Sequence, residues 1–160
     1  MKADKNVTPA RDRHAIADLR YPPTGRSLPI ALLRARERVM GPIREMLADA
    51  EVTEQQWRVL RVLDEYGPLP ISAVGDLACL QPSSLSRIVQ TLVEKGLVQR
   101  LRDEADRRRQ TISPTAAGAA IIYANIEESR RITTAFEERL GRDKHRQLLD
   151  LLDELNRVDL

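Results

Sequence analysis

Leu80-Gln81-Pro82-Ser83-Ser84-Leu85-Ser86-Arg87-Ile88-Val89-Gln90-Thr91-Leu92-Val93-Glu94-Lys95-Gly96 is the stretch on which the fold turns. Gln81-Pro82 predicts a turn that feeds straight into a helix, because the first helical turn leaves its amide hydrogens unpaired and proline has none to lose. Leu85, Ile88, Val89 and Leu92 follow at i, i+3, i+4 and i+7, the spacing of one buried stripe. Gly96 supplies the stop. The opposite side carries Ser83, Ser84, Ser86, Arg87, Gln90, Thr91 and Glu94. Short hydroxyl side chains at the front of a helix allow close approach, while Arg87 and Gln90 are long enough to reach base edges or phosphates in a major groove. A merely solvated face is the bland alternative, and the neighbouring segments weigh against it.

Upstream, Thr53 and Gln56 have the spacing of a capping box, which predicts a helix start. Trp57, Leu60 and Leu63 then mark an apolar stripe, and Gly67-Pro68 ends it. Between there and the turn, Ile71, Val74, Leu77 and Ala78 are expected to face inward from a short helix. Downstream, residues 97–102 and 109–113 read as two short strands around a polar turn, Asp103 to Arg108. A hairpin beside such a helix is a wing, and Arg107 and Arg108 near its tip suit a minor groove, where crowded phosphates deepen the negative potential. The bland alternative is a surface turn of salt bridges.

The outer segments read as helices. Leu28, Leu32, Ala35, Val39, Ile43 and Met46 recur at three and four residues, with a kink expected at Gly41-Pro42. Ile121, Ile122, Ile126, Ile132, Phe136 and Leu140 mark a long C-terminal helix, and Leu148, Leu149, Leu152 and Leu155 a shorter one beyond Gly141. These helices carry more apolar surface than a small core can cover, which predicts a homodimer. The expected division is a polar arm over 1–27, a dimerisation helix over 28–50, a winged helix-turn-helix over 51–115 and dimerisation helices over 116–160. The fold class is mainly α (α+β).

Composition limits the alternatives. A net charge of +2 over 160 residues argues nothing about nucleic acid, so the placement of the arginines must carry that reading. No signal peptide or membrane span is legible, and a single cysteine excludes an internal disulfide framework; a cytoplasmic protein without membrane contact is expected. With two histidines and no phosphate-cradling glycine loop, the chain offers neither a metal site nor a catalytic constellation. No enzyme activity, metal or cofactor is expected.

Asp103-Glu104-Ala105-Asp106-Arg107-Arg108, then Ile112-Ser113-Pro114-Thr115 and Gly118, resembles the wing signature of the multiple antibiotic resistance regulators, the MarR-type transcription factors. Pro114 stands where that family usually has leucine. The resemblance extends over roughly residues 28–157. A narrower likeness, to repressors of homoprotocatechuate and related aromatic-acid catabolism, rests on Ile30-Ala31-Leu32-Leu33-Arg34-Ala35-Arg36-Glu37 and Thr53-Glu54-Gln55-Gln56-Trp57-Arg58. It implies a homodimer on a pseudo-palindromic double-stranded DNA operator, repressing an aromatic-compound operon until a small aromatic acid, or its coenzyme A thioester, releases it.

In such a protein the effector pocket is expected between the dimerisation helices and the DNA-binding lobe. Arg34, Arg36 and Arg38 offer paired donors for a carboxylate, Arg36 first among them. Trp57 offers a flat apolar wall, or is simply core. Cys79 is expected to be a buried structural residue in an apolar helix. Two further readings remain open: a redox-responsive regulator acting through Cys79, and a non-regulatory winged helix that mediates protein contacts or packages DNA.

Overall fold

The computed structural model describes residues 23–102 and 110–159. The chain divides into two compact units, Met1–Arg38 and Val39–Leu160, and the division falls within the first helix. In the first unit, a single 3-10 turn at Thr24–Arg26 leads into α1 (Leu28–Met46), where Leu28, Leu32 and Leu33 are all exposed. The helix continues through Gly41-Pro42 rather than ending there.

The second unit is built around α2 (Glu54–Tyr66), α3 (Ile71–Leu77), α4 (Pro82–Glu94) and a small antiparallel sheet, followed by α5 (Ala116–Leu140) and α6 (Arg142–Asn156). Both halves of the capping box form: Gln56 N–H donates to Thr53 Oγ1 at 3.2 Å, and Thr53 N–H to Gln56 Oε1 at 3.0 Å. The sheet runs β1 (Leu69–Pro70), β3 (Gln110–Pro114), β2 (Val98–Arg102), with Arg100 opposite Ile112 and Arg102 opposite Gln110. The tip of the β2–β3 hairpin, with Arg107 and Arg108, lies outside the described residues. β1 is two residues long and has no periodicity to betray it; it exists because β3 offers an unpaired edge.

One continuous core joins Trp57, Leu60 and Leu63 of α2, Val74 of α3, Leu85, Val89 and Leu92 of α4, Ile112 of β3 and Ile122 of α5. Leu77 corrects the expectation for α3: it is exposed, because Val74, Gly75 and Ala78 already occupy the inward face of this short helix.

α3 and α4 end in the same way. Leu80 N–H donates to Gly75 O and Cys79 N–H to Asp76 O; Leu97 N–H donates to Leu92 O and Gly96 N–H to Val93 O. In this C-terminal motif the penultimate residue is left-handed, and here it is Cys79 (φ 51°) in one case and Gly96 (φ 68°) in the other. Cys79 is therefore neither helical nor buried; it is exposed at the turn, which corrects the structural-core expectation. Its side chain points to solvent because the left-handed backbone turns it away from the apolar face of α3.

The tightest contact lies at the start of α5. Thr115 caps the helix by accepting from Gly118 N–H at 3.1 Å, and its own hydroxyl donates to Gly96 O at 2.7 Å. A Cβ on Gly118 would sit 2.1 Å from the Leu97 carbonyl oxygen, so backbone would have to move to admit it. Gly118→Ala is expected to lower stability by about 3 kcal/mol or more, above the usual range for overpacking. Urea unfolding at fixed protein concentration checks this, and an unchanged midpoint would contradict it.

Candidate nucleic-acid interface

α4 owes its position to its apolar stripe: Leu85, Ile88, Val89 and Leu92 are all buried. Gly75 lets α3 approach closely, since a Cβ there would lie 2.8 Å from Leu85 Cδ2. The turn between them is held from below by Arg58 of α2. Its Nη1 donates to Ala78 O at 2.7 Å and to Cys79 O at 3.4 Å, placing a cation against the C-terminal carbonyls of α3. Arg58 Nε is buried without a hydrogen-bond partner. No sequence pattern separates this arginine from its solvated neighbours; only the fold brings residue 58 to residue 78.

The stripe leaves the other side of α4 facing out. Ser83, Ser84, Ser86, Arg87 and Gln90 are all exposed, and Ser83, Arg87, Gln90 and Glu94 follow one another along one face at helical spacing. Ser86 donates its hydroxyl hydrogen to Pro82 O at 3.2 Å, and Thr91 donates to Arg87 O at 3.1 Å. No side chain caps the N-terminus of α4, where Gln81 is the N-cap and Pro82 the first residue. Its first amide hydrogens are thus available to an anion such as a phosphate.

On this face Gln90 Nε2 donates to Glu94 Oε1 at 2.9 Å. Arg100 of β2 donates through Nη2 to Gln90 Oε1 at 3.4 Å and through Nη1 to Gln110 Oε1 of β3 at 2.9 Å. In sequence Arg100 is one arginine among several near the hairpin, and only alternation along β2 marks its side.

The α4 residues expected to meet DNA are therefore brought together on one exposed surface. The effector set is not read the same way. Arg34, Arg36 and Arg38 are exposed in the first unit, with Arg36 Nη1 2.9 Å from Glu37 Oε1. Trp57 belongs to the second unit and is 5% exposed, a core side chain. On α5 a hydrogen bond from Arg131 lowers the pKa of Glu128, and on α2 the charge of Glu65 raises that of Tyr66. Among the described residues no group of acidic, histidine or cysteine side chains is gathered to hold a metal, and no helix is long and apolar enough to cross a membrane.

A short helix, a tight turn, a second helix with a polar outer face and an adjoining hairpin define a winged helix-turn-helix DNA-binding protein that regulates transcription. The chain belongs to the MarR family, whose pattern it matches over residues 52–109. It is 38% identical over 133 residues to the HTH-type transcriptional regulator FarR of Neisseria gonorrhoeae, covering 83% of this chain and 91% of that protein. It is 37% identical over 131 residues to the homoprotocatechuate degradative operon repressor of Escherichia coli, covering 80% and 86% respectively. Among solved structures, NadR in complex with 4-hydroxyphenylacetate superposes with a TM-score of 0.73 at 36% identity, covering 95% of this chain and 100% of that one.

Arg87 is the one cation on α4, on its exposed face, and a good bidentate base contact is worth about 1–3 kcal/mol. Arg87→Ala is expected to weaken operator binding by about tenfold to a hundredfold and to relax preference at one base pair in each half-site. Titration of operator duplexes and their single-base variants measures both. An unaltered preference would remove Arg87 from sequence reading.

Proposed function

We propose that this protein is a homodimeric repressor of an aromatic-compound catabolic operon, working in the cytoplasm on a pseudo-palindromic operator and released by a small aromatic acid or its coenzyme A thioester. The observation that carries this reading is the match across 95% of the chain to a regulator solved with 4-hydroxyphenylacetate, beside the likeness to a homoprotocatechuate operon repressor. Nothing catalytic is assigned; its relatives are regulators.

The apolar surface supports the dimer. α1 has no buried residue in the single chain, and Leu28, Leu32, Leu33 and Val39 are exposed on it. α6 likewise buries nothing, with Leu148, Leu149 and Leu151 each about half exposed. Two helices in that state gain stability when a second copy covers them. A two-fold dimer would present two α4 helices to major grooves one turn of DNA apart, with Ser83, Ser84, Ser86, Arg87 and Gln90 toward the bases. Arg107 and Arg108 of each wing are assigned to the flanking minor grooves, where Arg side chains follow the electrostatic potential.

Release requires an effector that binds better to a dimer whose α4 helices are wrongly spaced; one that bound both shapes equally would shift nothing. A hundredfold loss of operator affinity needs about 2.7 kcal/mol of coupling. We assign carboxylate recognition to Arg34, Arg36 and Arg38, with Arg36 first. The burial of Trp57 favours a core role over the ligand-facing one.

Operator affinity measured with a panel of hydroxylated phenylacetates, benzoates, cinnamates and their thioesters tests the reading. At least one member is expected to lower affinity about a hundredfold, and Arg36→Ala to blunt that response while sparing DNA binding. Release by no member would overturn the effector class, and full release from the Arg36→Ala protein would move the carboxylate site elsewhere.

A further inference from the structure

Glu94, Gln90, Arg100 and Gln110 form an unbroken run of hydrogen bonds from α4 across to both strands of the hairpin. At its centre is the Gln90 amide, which has two N–H donors and two oxygen lone pairs. Glu94 takes one donor and Arg100 occupies one lone pair. One donor and one acceptor remain, the complement that an adenine edge accepts in the major groove.

An isolated glutamine amide can turn over, exchanging donor and acceptor, and then offers the wrong polarity to adenine. Here the two ends of the amide meet opposite partners: a carboxylate that only accepts and a guanidinium that only donates. Turned over, it would set N–H against guanidinium and oxygen against carboxylate. The guanidinium is itself placed by its other nitrogen, which donates to Gln110 at 2.9 Å. Arg100 and Gln110 lie on neighbouring strands, whose register pairs Arg100 with Ile112 and Arg102 with Gln110. The hairpin therefore sets the fork, and the fork sets the amide.

We propose that Arg100 is a positioning residue for sequence reading: its guanidinium, anchored on the wing through Gln110, holds the Gln90 amide in the one orientation that recognises adenine. This rests on α4 lying in a major groove. It assigns Arg100 an effect through Gln90 rather than through charge on a phosphate, and it makes the wing a determinant of what the recognition helix reads.

Arg100→Lys separates the two roles. The lysine keeps the charge but presents a single ammonium in place of a planar fork that reaches two side chains at once. The test is binding of the full-length wild type, Arg100→Lys, Gln90→Ala and the double variant to the operator, located by footprinting, and to its complete set of single-base-pair variants. The salt dependence of each is measured alongside. Wild type is expected to discriminate against replacement of one A·T pair in each half-site, and Gln90→Ala to lose that discrimination by about tenfold. Arg100→Lys is expected to lose it at the same pair with an unchanged salt slope, and the double variant to lose no more than either single one. Arg100→Lys that discriminates as wild type does, or that loses affinity evenly on every duplex, would overturn the proposal while leaving the groove reading intact. A wild type indifferent to every substitution would overturn both.

Discussion

The first turn of α5 lies against the backbone of Leu97 with no room for one side-chain carbon. Leu97 is the residue that follows Gly96 and opens the hairpin, so the end of α4, the start of β2 and the start of α5 meet within a few residues. Thr115 N–H donates to Leu97 O at 3.1 Å, the Thr115 hydroxyl holds Gly96 O, and Leu60 Cδ2 of α2 closes the contact from below at 3.3 Å from the Gly118 Cβ position. The end of α4 is thus tied to the start of α5 through the backbone of Gly96 and Leu97. A rigid contact of this kind is one of the places where a shift in one helix meets the base of the next.

Much of this was legible before any coordinates. The Thr53–Gln56 box, Pro82 at the first position of α4, the buried stripe of α4 and the stop at Gly96 are local signals with local causes, and each stands where the spacing placed it. The polar face of α4 followed from the same periodicity. What escaped depends on residues far apart in sequence. β1 is created by its partner strand. Arg58 finds the carbonyls of residues 78 and 79 from another helix, and Arg100 finds Gln90 and Gln110 across the hairpin. Cys79 was misplaced because its turn uses a left-handed residue that glycine usually supplies, as Gly96 does at the end of α4. With cysteine there, the ordinary glycine signal for a helix stop was missing.

The uncovered leucines of α1 and α6 and the polar face of α4 describe one chain with two kinds of unfinished surface. The apolar one suits a second copy, and the polar one suits a groove. The two surfaces are chemically distinct. α5 touches the base of the hairpin beside α4.

An outer face of α4 that reads sequence, rather than merely answering phosphate charge, must hold one duplex far more tightly than others. Titration of the protein onto a duplex from the DNA beside its own gene, against a shuffled duplex of equal length and composition across a salt series, tests it most directly. A preference of about a thousandfold or more for the genomic duplex is expected near physiological salt, persisting as the nonspecific component falls away. Equal affinities with equal salt slopes would contradict it.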